Sequence, residues 1–257
     1  MTDKRNSSGE VGVRAVEGLP EIAAGDPLGA LIARQAGELA DGDVVVVSQK
    51  VVSKAEGQIR KLSSMIPRAE ARRLAAVLGK EPALVELVLE ESAAVIRAER
   101  TVLIVETKHG FVCANAGIDS SNLPEEDTVC LLPEDPDASA RRLRTELAAA
   151  SGATRLGVVI SDSFGRAWRL GQAEVAIGCA GLRPLDDWRG RTDAGGRPLE
   201  ATLIAIADEA AAAADLVRNK ASGVPATVVH GLGDHVTIED GPGAAALRRP
   251  PDEDLFR

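Results

Sequence analysis

Three short stretches of this sequence carry side chains able to do chemistry at close spacing. In Ala116-Gly-Ile-Asp-Ser-Ser-Asn122, a carboxylate and an amide stand three residues apart. Asp119 there can hold a divalent cation and Asn122 can bind a nucleotide, or the pair can simply close an Asx-turn on nearby backbone. In Ser161-Asp-Ser-Phe-Gly-Arg-Ala-Trp-Arg169, an acid and two hydroxyls precede two arginines. The oxygens of Asp162 and Ser163 suit a hard cation such as magnesium or manganese. Arg166 and Arg169 can present planar forks to phosphate or carboxylate; the plainer alternative is an Asp-capped turn with surface arginines. In Val47-Ser-Gln-Lys-Val-Val-Ser-Lys54, Lys54 can neutralise a phosphate, with Gln49 and Ser53 as hydrogen-bonding neighbours. Here the alternative is an edge strand with solvated lysines.

Other chemistries find little support. The sequence has neither a Gly-x-x-x-x-Gly-Lys-Ser/Thr loop nor a Gly-x-Gly-x-x-Gly fingerprint, so a bound nucleotide must use another cradle. His109, His230 and His235 are scattered, and no Gly-x-Ser-x-Gly elbow accompanies them. Asp208 and Glu209 lie on an Ala-rich helical stretch and are left out of the site.

The elements that must position these residues follow from periodicity. Val11–Leu19 reads as a strand and the stretch from Leu28 as a helix, with Asp26 as N-cap and Pro27 at the first helical position. Val44–Val47, four β-branched residues in a row, predicts a strand buried on both faces. Helices are expected over Arg68–Leu78 and Pro82–Glu91. Short strands follow over Ala93–Arg97, Thr101–Glu106, Phe111–Ala114 and Thr128–Leu132, with a hairpin turn at Lys108-His109-Gly110. Pro136–Ala150 reads as a helix and Leu156–Ile160 as a buried strand, placing Ser161–Ser163 at a strand end, where ligands often bind. Ala173–Ile177 is a further strand, Leu185–Arg197 a long loop, Leu199–Lys220 a helix and Ala226–Val229 a last strand. The pattern is that of an α+β protein with mixed β-sheets.

The chain has 257 residues and a formal net charge of −9, with 30 Lys and Arg scattered among 39 Asp and Glu. Without a basic stripe, and with only two Trp, three Phe and no Tyr, nucleic acid is a poor partner. A phosphate site in such a field needs local arginine, lysine or divalent metal. Cys113, Cys130 and Cys179 lack both disulfide and zinc spacing, which fits a reducing cytoplasm. No apolar run approaches a membrane span and residues 1–10 lack a signal-like core. Those ten residues are expected to be disordered, and residues 232–257, with their prolines and mixed charge, loosely ordered.

Taken in order, the three stretches resemble the F420-0:gamma-glutamyl ligase family. The likeness is carried by Gly18-Leu-Pro-Glu-Ile22, by Asp41 through Lys54, by Gly117-Ile-Asp-Ser-Ser-Asn122, by Ser161 through Gln172, and by Ala207 through Val217 followed by Pro225. It implies two intertwined α+β lobes, one ligase domain over residues 11–231, a homodimer, GTP as phosphoryl donor, two divalent ions and an auxiliary potassium ion. Carried across by position, Leu19, Pro20, Glu21, Ile22, Gln49, Lys54 and Asn122 would contact the nucleotide. Asp119 and Asp162 would bind a first magnesium or manganese ion and Ser163 a second. The family often has Thr at position 163 and a small polar residue at 49; Ser keeps the hydroxyl, while Gln49 leaves its contact open. Some relatives carry a C-terminal flavin-binding, nitroreductase-like domain, which the resemblance does not extend to here.

The implied reaction is GTP-dependent formation of an amide between L-glutamate and coenzyme F420-0 through an acyl phosphate, followed by further gamma-linked additions. Arg166 and Arg169 are the candidates for holding the acceptor's phosphodiester or carboxylates. Two other readings remain open: a nucleotide-dependent ligase or phosphotransferase with a different acceptor, and a non-catalytic GTP-binding regulatory protein.

Overall fold

The computed structural model describes residues 9–121, 123, 127–218 and 223–255. Its centre is a five-stranded sheet built from β1 (Gly12–Val16), β2 (Val44–Ser48), β8 (Gly157–Arg166), β9 (Arg169–Ala180) and β12 (Ala226–His230), in the order β1-β12-β2-β8-β9. Only β2 and β8 run parallel. Both faces are covered, which is why β2 reads as unbroken valine. Val45 and Val47 face a core shared with α1 (Leu28–Ala36) and α5 (Pro136–Ser151). Val44 and Val46 face α6 (Ile206–Asp215). Alternate side chains on a strand point to opposite faces, and here both faces are apolar.

Between β2 and α5 the chain builds a second set of elements. α2 (Gln49–Ala55) follows β2 directly, and β3 (Ile59–Lys61) pairs antiparallel with β7 (Thr128–Cys130). α3 (Ala69–Leu78) and α4 (Pro82–Glu90) pack against a three-stranded sheet of β4 (Ser92–Glu99), β5 (Val102–Thr107) and β6 (Val112–Ala114). Leu74, Leu78, Val85, Val88, Leu103 and Val105 form their shared core. α3, α4, β4, β5, β6, β7 and the Lys108-His109-Gly110 turn lie within a few residues of their expected bounds, whereas α2 and β3 were not expected as helix and strand. The architecture is mixed α+β, as the periodicity implies.

Five local expectations are corrected. Asp26 does not cap α1: its carboxylate accepts from Ala23 N at 2.8 Å, and Pro27 occupies the capping position. The Gly29 N–H instead donates to Glu146 Oε2 of α5 at 2.9 Å, so the helix start is satisfied by tertiary contact. The polar run after Val47 is not an edge strand, because β2 stops at Ser48 and helix α2 begins at Gln49. Ser161–Ser163 does not end its strand. β8 continues to Arg166, turns through Ala167 and Trp168, and returns as β9, a partner that supplies the ladder bonds its polar sequence gave no sign of.

The helix expected from Leu199 begins only at Ile206. Residues before it are drawn into pairing, β11 (Leu203–Ile204) against β10 (Asp186–Asp187), and this ladder overrides helical propensity. Of the tail expected to be loose, residues 232–247 are packed, with Val236 and Ala244 buried, while residues 248–255 are almost all exposed. Arg144 of α5 grips it through Asp240 at 2.7 Å and the carbonyls of Thr237 and Ile238. Asp137 Oδ1 accepts from Ala244 N at 2.7 Å and from Cys179 N of β9 at 2.9 Å. Most of residues 1–10 lies outside the described residues.

Candidate active site

The carboxyl-terminal end of β2, the start of α2, the middle of the β8–β9 hairpin and the connector after β1 enclose one cavity of ≈ 480 Å³, a volume in the range of nucleotide-sized ligands. Leu19, Pro20, Glu21 and Ile22 form one wall, and Val224 and Pro225 line it near β12. Pro225 is tied in place by Ser48 N donating to its carbonyl at 2.8 Å. On α2, Gln49 and Lys54 reach the cavity although both are buried. Ser53 Oγ donates to Gln49 Oε1 at 3.1 Å, and Lys54 Nζ pairs with Glu21 Oε1 at 2.5 Å. That pair is lopsided: the lysine side chain is 10% exposed and the glutamate 76%.

Asp119 arrives on a loop held in an uncommon conformation. Asn115, Ala116 and Gly117 all have positive φ, and a Cβ at Gly117 would meet Leu132 at 2.8 Å. Such backbone persists only where its surroundings fix it. Here the fixing is mutual pairing of Asp119 with Cys130, at 3.1 and 2.8 Å. The Asp119 carboxylate then meets Lys50 Nζ at 2.8 Å and accepts from Ser121 N at 2.6 Å. Burial opposes its ionisation, but the bonds from Lys50 and Ser121 outweigh it and hold this carboxyl below the usual range.

Asp162, on β8, has the opposite environment. Burial pushes its carboxyl up to about 7, and the neighbouring charge of Glu174 adds to the shift. Ser163 beside it donates to Glu174 Oε1 at 2.5 Å, and the other Glu174 oxygen faces Arg218 Nη2 at 3.3 Å. Among the described residues no three His, Cys, Asp or Glu side chains are grouped so as to hold a metal ion by themselves.

The cavity therefore brings together Leu19, Pro20, Glu21, Ile22, Gln49, Lys54, Asp119, Asp162 and Ser163. Asn122 lies outside the described residues. Arg166 and Arg169 do not line the cavity. They face each other across the exposed hairpin tip, where Arg166 Nη2 donates to Leu170 O at 2.7 Å. The reason is the continuation of the β8–β9 hairpin, which carries Arg166 at the end of β8 and Arg169 at the start of β9 away from the residues that line the cavity. Asp208 is structural, accepting from Ala176 N at 2.8 Å.

Lys50, Ser121, Glu174, Asp215 and Arg218 also line the cavity and were not singled out in the sequence. Lys50 was visible within Ser-Gln-Lys. Glu174 had no local signal, since its place opposite Ser163 exists only once the hairpin pairs.

Comparison with known proteins decides the family. A profile described as F420-0:Gamma-glutamyl ligase matches residues 18–231. The chain belongs to this family. It is 46% identical to the coenzyme F420:L-glutamate ligase of Methanothermobacter thermautotrophicus, covering 94% of this chain and 97% of that one. It is 43% identical to the protein of the same name from Archaeoglobus fulgidus, covering 96% of each. The family match spans every described residue that lines the cavity, from Leu19 to Pro225. Among the described residues no helix is long and apolar enough to cross a membrane.

Proposed function

We propose that this protein is a GTP-dependent ligase that joins L-glutamate to coenzyme F420-0 through an amide bond, and then adds further gamma-linked glutamates. The observation that carries the reading is the convergence of Leu19–Ile22, Lys54, Asp119, Asp162 and Ser163 on one cavity in a chain of this family. The names of its relatives supply the acceptor and the amino acid.

Making an amide from a carboxylate and an amine is uphill in water, and GTP would supply the activation. A carboxylate oxygen of the acceptor attacks the γ-phosphorus; the bond to the bridging oxygen breaks, and GDP leaves with its electron pair. The α-amine of glutamate then attacks the acyl carbon of the resulting acyl phosphate, phosphate departs, and the amine proton passes to solvent. Leu19, Pro20, Glu21, Ile22, Gln49 and Asn122 orient the nucleotide. Lys54 turns its charge to the phosphates, leaving the exposed Glu21. The protein's task is positioning and charge neutralisation.

Asp119 and Asp162 would hold one magnesium or manganese ion, and Ser163 would contribute to a second; potassium is an auxiliary. When bound, these ions neutralise charge building on the phosphates. The donor set fits them, since every candidate ligand is an oxygen and the resisted ionisation of Asp162 is what a nearby cation relieves. Magnesium commonly takes one or two carboxylates and completes its shell with water and phosphate oxygens, so no three-acid cage is required. Arg166 and Arg169 are assigned to outlying phosphodiester or carboxylate groups of the acceptor, beyond the cavity mouth. The same reading places residues 11–231 in one ligase domain of two intertwined lobes, acting as a homodimer in the cytoplasm.

The test is incubation with GTP, manganese or magnesium, L-glutamate and F420-0, followed by mass spectrometry and GDP assay. Glutamyl mass gained with one GDP per addition is the expected result. GDP without mass gain indicates a different acceptor. Neither signal, from folded protein that binds GTP, indicates a regulatory role.

A further inference from the structure

The Ser163 hydroxyl stands opposite Glu174 in the antiparallel register of β8 and β9, and the two side chains meet across that pair at 2.5 Å. Glu174 is itself clamped. Arg218, just beyond α6, presents Nη2 to Glu174 Oε2 at 3.3 Å and to Ser161 Oγ at 3.0 Å. The Arg218 and Glu174 side chains are 8% and 9% exposed, so this is a buried arrangement within the cavity wall. The Arg218 Nε atom is buried with no hydrogen-bond partner among the described residues.

A serine hydroxyl has one proton and two lone pairs. A carboxylate facing a guanidinium acts as acceptor, so the Ser163 proton points at Glu174 and the lone pairs are turned elsewhere. Ser163 lines the cavity, as does Asp162 beside it. We infer that Glu174, held by Arg218, is a positioning residue: it takes the Ser163 proton in a hydrogen bond and thereby aims the hydroxyl lone pairs at a divalent cation in the cavity. Glu174 acts through Ser163 and is not itself a ligand in this arrangement. The inference rests on the divalent-ion site proposed above.

Two neutral replacements separate this role from that of charge. Glu174→Gln keeps an acceptor oxygen near the same place, whereas Glu174→Met has similar length and none. Each is made in the full chain with Ser163 present and with Ser163→Ala, and manganese affinity is measured by electron paramagnetic resonance without nucleotide. With Ser163 present, the Met variant should bind manganese about tenfold more weakly than the Gln variant, as for other partners that orient a metal ligand. In the Ser163→Ala background the difference should vanish. An equal gap in both backgrounds, or none in either, overturns the inference while leaving the metal site intact. If the wild-type protein itself binds no manganese, the site reading fails and this role with it. Should the Met variant not fold, Glu174→Ala takes its place. Arg218→Met, which unclamps the acceptor without removing it, should give a smaller loss that also disappears without Ser163.

Discussion

Asp162 and Asp119 share one cavity yet are driven in opposite directions, one by burial beside Glu174 and the other by Lys50 and Ser121. This makes a measurable difference to stability. The Asp162 carboxyl holds its proton up to about 7 in the folded protein, against an ordinary value of 3.8. Between those values the folded state binds more proton than the unfolded chain, so stability is highest at the acid end and falls as pH rises through 7. Each pKa unit is worth about 1.4 kcal/mol. In metal-free buffer Asp162→Asn should melt above wild type at pH 8, with the gap closing toward pH 4; a gap that ignores pH would refute the assignment. The same variant should lose metal-dependent turnover while keeping its fold, and undiminished turnover at ordinary magnesium would remove Asp162 from the ligand set.

The cysteines give a second residue-scale prediction. Burial pushes the thiols of Cys113 and Cys179 up to about 12 and that of Cys130 to about 11. The thiolate is the reactive form, so a thiol reagent at pH 8 should label none of them in the native protein. After denaturation it should find all three; labelling of native protein would mean that the core opens readily.

At the scale of elements, α1 shows how a local rule yields to packing. Alanine is a better helix former than glycine by about 1 kcal/mol, yet a Cβ at Gly29 would lie 2.5 Å from Glu146 Cβ and 2.6 Å from its Oε2. Gly29→Ala should therefore destabilise the protein by about 1–3 kcal/mol, read as a lower denaturant midpoint; a raised midpoint would show that the α1–α5 contact gives way freely. The sequence disclosed α1 through Leu28, Leu31 and Ile32, but the acceptor for its Gly29 N–H is Glu146, far along the chain. The strand β2 was legible because both of its faces are apolar. The outer half of β8 was not, because Ser161 through Arg166 is polar and its strand character depends on β9. Glu174 stayed hidden for the same reason, and with it the actual surroundings of Ser163.

For the whole molecule, the mixed α+β class followed from periodicity, while the packing of the segment after Gly231 did not. Its anchors, Asp137 and Arg144, look like ordinary surface charges of an amphipathic helix until Ala244, Asp240 and the Thr237 carbonyl are brought to them. The anionic chain likewise said little about its cavity, where Lys50, Lys54 and Arg218 stand among the acids.

The central sheet sets β12 between β1 and β2, with Gly12 opposite His230 and Val44 opposite Val229. The first strand of the described chain thus has no hydrogen-bonded neighbour until the last one is made. On a ribosome, β1 must wait unpaired while nearly everything else emerges, and β2 must wait with one edge open. A stalled nascent chain released from the exit tunnel only as far as Pro225 should be digested readily by protease. One released past Leu247, with β12 and the segment gripped by α5 both available, should yield a resistant core. The protein is, in this sense, closed by its final strand, and synthesis cut short before Ala226 should leave no partly working enzyme but an aggregation-prone remnant.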